Sequence, residues 1–84
     1  MNSRHQRTLQ AIFANPISRN IEWRHIERLF IALGCDIIEG HGSRVAFKHG
    51  TLRADFHRPH PAKEAKSYQI RAAREFLVKL GIQP

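Results

Sequence analysis

Apolar positions follow two different periods along this chain, and the change of period divides it. From residue 3 to residue 33 they recur every three or four positions. Leu9, Ile12 and Phe13 predict a helix over residues 3–14, capped by Ser3 and stopped by Asn15-Pro16, since a residue before proline avoids the helical region. Residues 16–20 read as a linker. Trp23, Ile26, Phe30 and Leu33, with Leu29 beside them, predict a second helix over 21–33. Asn20 would cap it, Glu22 suits its first turn, and Gly34 takes the left-handed position after its end.

From Cys35 the period drops to two. Strands are predicted over residues 35–39, 43–48 and 51–57. A tight turn at His49-Gly50 would set Phe47 opposite Leu52, Val45 opposite Ala54 and Ser43 opposite Phe56. Every apolar side chain then falls on one face. The other face carries Arg44, Ala46, Lys48, Arg53, Asp55 and His57, with Arg44 across from Asp55 and diagonal to His57. A loop follows over 58–66. A last helix is predicted over 67–80, capped by Ser67, with Ile70, Ala73, Leu77 and Leu80 buried, Phe76 alongside, and Arg71, Arg74, Glu75 and Lys79 turned to solvent. The order α-α-β-β-β-α gives an α+β fold: a three-stranded antiparallel sheet with helices on one face and the other face open.

Eighty-four residues suit a single domain, 1–84. A domain this small buries only roughly 60–65% of the surface its unfolded chain exposes, so stability is modest. One cysteine, Cys35, excludes an internal disulfide and a Cys-rich zinc site, and reads as a small core residue. No leader-like segment and no apolar run approaching 18 residues is present, so a cytoplasmic protein with no membrane partner is expected. The formal charge is +7, and it is unevenly placed. Residues 1–42 hold five Lys/Arg against four Asp/Glu, whereas residues 43–84 hold nine against three. A basic hairpin and last helix favour a nucleic acid or an acidic protein as partner over a merely solvated surface.

The ordered features from Trp23 to Gly81 resemble the HicA family of small bacterial toxins. They are a helix ending in Leu33-Gly34, a strand, the turn Gly40-His41-Gly42-Ser43 into a second strand ending near Phe47, a third strand ending in His57, and a last helix ending in Leu80-Gly81-Ile82. The resemblance implies a fold similar to the double-stranded-RNA-binding domain. It also implies a ribonuclease that cleaves messenger RNA, and a HicB-like antitoxin partner through which alone operator DNA would be contacted. The family's usual motif is Gly-Ser-His with a catalytic histidine; here Arg44 follows Gly42-Ser43. The helix over 3–14 lies outside the family core.

RNA can be cut with no metal or other cofactor. A base removes the 2′-OH proton, an acid protonates the leaving oxygen, and a cation stabilises the phosphorane. His57 is the first candidate for base or acid and Arg44 for the phosphate, although Arg44 opposite Asp55 equally suits a cross-strand ion pair, and Glu39 competes for it. His60, stiffened by Pro59 and Pro61, is the second histidine. His41 sits in the glycine turn, where backbone amides can approach a phosphate. His57-x-x-His60 is not read as a metal pair, because nearby cysteine ligands are lacking and proline breaks the helical geometry such a pair would use. Gly42, Ser43, Arg44, Lys48, Arg53, Arg58, Lys63, Lys66 and Arg71 make up the expected RNA-contacting set. A non-catalytic module of the same fold, binding RNA or an antitoxin, is the alternative.

Overall fold

The computed structural model describes all residues, Met1–Pro84. Its elements follow the expected order: α1 Ser3–Ile12, α2 Trp23–Ala32, β1 Asp36–Glu39, β2 Arg44–His49, β3 Leu52–His57 and α3 Ser67–Lys79. Each helix begins differently from the expectation, and each for a local reason. In α1 the cap is Asn2, whose Oδ1 accepts from the His5 amide at 2.8 Å, so Ser3 is already helical. Residues 21 and 22 are not helical because they pair with the later loop. The Ala65 amide donates to the Ile21 carbonyl at 2.8 Å and the Trp23 amide to the Lys63 carbonyl at 2.9 Å. Glu22, held extended, therefore precedes α2. In α3 the cap is Lys66 rather than Ser67; the buried Gln69 reaches back, and its Oε1 accepts from the Lys66 amide at 2.8 Å.

The sheet is antiparallel in the order β1-β2-β3. Its second hairpin turns at Gly50-Thr51, with His49 opposite Leu52, not at His49-Gly50. Gly50 has φ +62° and no non-glycine residue has positive φ, so only the first loop position is left-handed. That is the type II′ pattern, which asks for glycine first. Every expected partner across β2 and β3 moves by two residues: Phe47 faces Ala54, Val45 faces Phe56 and Arg44 faces His57. A shift of two preserves the faces, because side chains alternate with a period of two.

The inner face packs on α2 and α3 through an aromatic cluster. Phe30 meets Phe47 at 4.9 Å and Phe76 at 5.3 Å between centroids, both edge-on, and Trp23 meets Phe56 at 5.1 Å. Ile26, Leu29, Ile70 and Leu77 are fully buried around it, and Cys35 is buried with them. The Cys35 thiol is pushed above its usual pKa by burial and then by Asp36. Leu9 and Ile12 fix α1 to this core. Arg74, expected in solvent, instead spans to α1: its guanidinium donates to the Ile12 carbonyl at 2.9 and 3.0 Å and to the Ala14 carbonyl at 3.1 Å. It thereby satisfies carbonyls that a helix end leaves free. No helix is long and apolar enough to cross a membrane.

Candidate nucleic-acid interface on the open face

The outer face of the sheet is uncovered. Arg44, Lys48, Arg53, Asp55 and His57 are exposed on it, and only the small Ala46 is enclosed by its neighbours. At its β1–β2 end the chain makes the turn that shapes the site. The Gly40 amide donates to the Arg44 carbonyl at 2.9 Å. A Cβ on Gly40 would lie 2.8 Å from the Arg44 Cβ, so glycine is what lets the two strands close here. Gly42 follows at φ +65° in open space.

This turn places Arg44 directly opposite His57. The expected pairing of Arg44 with Asp55 is replaced: Asp55 accepts from Arg53 of its own strand at 3.0 Å. Glu39 is engaged by Arg58. The four ion pairs of the chain belong to Arg24, Arg53 and Arg58, which leaves the Arg44 guanidinium without a carboxylate. The Ser43 hydroxyl lies 3.4 Å from His57 Nδ1, at the outer limit of a hydrogen bond. Arg44, His57 and His41 line a concavity of about 520 Å³ together with Arg53 and the Asp55 carboxylate, and Ile38 and Ala46 are among its apolar lining.

The remaining sequence candidates are spread more widely. Lys48 and Arg53 face each other further along the open face. Lys63, Lys66 and Arg71 are exposed in the loop and on the first turns of α3. His60 is exposed in the same loop and does not line the concavity; His41 is the second imidazole that does. Arg58 differs from its expected role. Its side chain turns to the inner side, donating to Glu27 at 2.7 and 3.2 Å and to Glu39 at 2.8 and 3.0 Å. The two carboxylates hold its proton more firmly still, Glu39 first and then Glu27. Arg58 in turn holds the Glu39 carboxyl below its usual range through the hydrogen bond they share.

Two residues outside the candidate set fix the strand end that carries His57. Gln69, buried in α3, donates from Nε2 to the His57 carbonyl at 2.6 Å while its oxygen holds the Lys66 amide. Glu27 accepts from Arg58 and from the Trp23 indole. Gln69 was visible in the sequence as a polar residue four positions before Ala73, on the buried stripe. Glu27 gave no such signal, because its partners come from distant segments. No three His, Cys, Asp or Glu side chains converge as a metal site would require.

Residues 23–82, sixty of the 84, match the family model described as the HicA toxin of bacterial toxin-antitoxin. No curated protein and no solved structure matches the chain. The match covers α2 to the end of α3 and begins after α1.

Proposed function

The chain belongs to the HicA family of toxins from bacterial toxin–antitoxin systems, and from that premise we propose that it is an endoribonuclease acting on messenger RNA at the open face of its sheet, silenced by a HicB-like antitoxin. The observation that carries this reading is the pairing of Arg44 with His57 across β2 and β3, on a face that no helix of the protein covers.

His57 acts at the 2′-OH. In the tautomer whose Nδ1–H donates to the Ser43 hydroxyl, Nε2 carries the lone pair that accepts the proton. The 2′ oxygen attacks the adjacent phosphorus, and the bond from phosphorus to the 5′ oxygen breaks. The products are a 2′,3′-cyclic phosphate and a 5′-hydroxyl. Arg44 spans the non-bridging oxygens with its fork of donors and stabilises the added charge of the phosphorane. The leaving oxygen takes a proton from a second group, acting as the acid. We assign this to His41, because it lines the same concavity as His57 and His60 does not. Lys48 and Arg53 extend the basic track along the strands. Arg58 is left out of the RNA-contacting surface, since both sides of its guanidinium are engaged.

Purified protein should cleave RNA in the presence of a chelator, leaving 2′,3′-cyclic phosphate ends. His57→Ala should lower the rate by at least a hundredfold, in the range typical of a lost general base. His41→Ala should cost more than His60→Ala. A fully active His57→Ala protein would remove the assignment.

One feature favours a second reading. The position that carries histidine in the family motif is Arg44 here, which suits a module that binds RNA or its antitoxin without cutting. Salt-dependent RNA binding with no cleavage, and harmless expression in a host lacking the partner, would select that reading.

A further inference from the structure

A second basic concavity lies on the helical layer, across the sheet from His57. It is about 460 Å³ in volume and lined by Asn2, Arg4 and His5 of the α1 segment and by Arg28, Ile31 and Ala32 of α2. Neither Arg4 nor Arg28 belongs to any of the chain's four ion pairs, and both are exposed. No carboxylate lines the cleft. His25 sits nearby: burial first, and then the charges of Arg24, Arg4 and Arg28, lower its pKa against the opposing pull of Glu22. Two arginines from two helices thus border one cleft, and neither is paired with a carboxylate.

A protein keeps like charges together at some cost to folding unless something neutralises them. The occupant that suits two unpaired guanidinium groups is a phosphate backbone, which accepts paired hydrogen bonds from each fork. An acidic amphipathic helix suits the cleft less well. Such a helix needs a row of apolar contacts at successive turns, and only Ile31 and Ala32 are offered.

We propose that the cleft between α1 and α2 is a second RNA contact, in which Arg4 and Arg28 grip backbone phosphates independently of the His57 face. The inference rests on reading the protein as one that acts on RNA. It adds a binding site built partly from α1, which lies outside the family match. Contacts to phosphate position a strand without reading its sequence, so the site would raise affinity and leave cleavage preference unchanged.

The test uses the full chain and a labelled single-stranded 2′-O-methyl RNA, which lacks the attacking hydroxyl and is not cut. Binding is followed by fluorescence anisotropy from 50 to 300 mM salt. Each phosphate contact on a single strand contributes a slope of about −0.7 to log K against log salt. Arg4→Ala/Arg28→Ala should therefore bind more weakly, with a slope shallower by about 1.4. Arg4→Lys/Arg28→Lys, which keeps both charges, should retain the wild-type slope; its thermal melt and that of the alanine pair should match wild type. An unchanged slope and affinity in the alanine pair overturns the proposal. So does a loss confined to an acidic polypeptide such as polyglutamate, which would make the occupant a protein. Cleavage of unmodified RNA separates the two readings. If wild type cuts but the slope does not move, the cleft fails alone; if the slope moves but wild type never cuts, the endoribonuclease reading fails alone.

Discussion

At the scale of single residues, His57 at the end of β3 and Arg58 just after it show how adjacent positions serve opposite sides of the sheet. His57 points to the open face, and Arg58 turns inward to join Glu27 on α2 with Glu39 on β1. An isolated surface ion pair contributes little, but Arg58 is two-thirds covered and Glu27 more so. Arg58→Ala would leave Glu27 enclosed against the Trp23 indole with an unmatched charge. It should cost about 2 kcal/mol, lowering the melting temperature by roughly 10 °C in a domain of this size. Adding Glu27→Gln to that variant should recover part of the loss, read by the same thermal melt. The pairing also sets a pH response. The folded Glu39 pKa lies below its usual 4.5, so its contribution is complete above pH 4.5 and is lost as pH falls through the lowered value. Urea midpoints should therefore stay level down to about pH 4.5 as far as this group is concerned, then fall. Glu39→Gln should remove that part of the fall.

At the scale of elements, the joint between α1 and α3 depends on Arg74, which donates to the Ile12 carbonyl at the end of α1 and to the Ala14 carbonyl just beyond it. Arg74→Ala should destabilise the protein by about 1–2 kcal/mol, and amide exchange should rise in α1 first. Gly40→Ala should push β1 away from Arg44, because a Cβ there meets the Arg44 Cβ at 2.8 Å. Cleavage should then fall more than the melting temperature does. These two joints also mark what the sequence could reveal. Order, faces and core follow from periodicity, because Trp23, Phe30, Phe47, Phe56 and Phe76 each sit on the stripe that buries them. Boundaries and register do not follow so directly. Helix α2 starts late because residues 21 and 22 pair with residues some forty positions away. The hairpin shifts by two because Gly50 takes the first turn position instead of the second. For the site, His57 and Arg44 could be placed on the open face from alternation alone. Their direct opposition, the engagement of Arg58 and the choice of His41 over His60 all depend on that shift or on loop paths, which carry no period.

At the scale of the whole molecule, the carboxylates are mostly occupied and the cations are not. Glu22, Glu27, Glu39 and Asp55 are bound to arginines, while Arg4, Arg28, Arg44 and Lys48 have no acidic partner. The surplus appears on both broad sides of a body 20 Å through its shortest axis: on the sheet around Arg44, and on the helices around Arg28. An acidic antitoxin that silences the protein by covering the Arg44 and His57 face has no need to reach the far side. The two sides should then be separable in the assembled pair. With the antitoxin bound, cleavage should be abolished, yet a weaker, salt-dependent affinity for RNA should remain. In a complex built with Arg4→Ala/Arg28→Ala that residual affinity should disappear, while antitoxin affinity and inhibition stay at wild-type levels. Anisotropy with the uncut RNA, run on both complexes across the same salt range, measures this directly. Equal residual binding in the two complexes would show that the helical side contributes nothing once the sheet is covered.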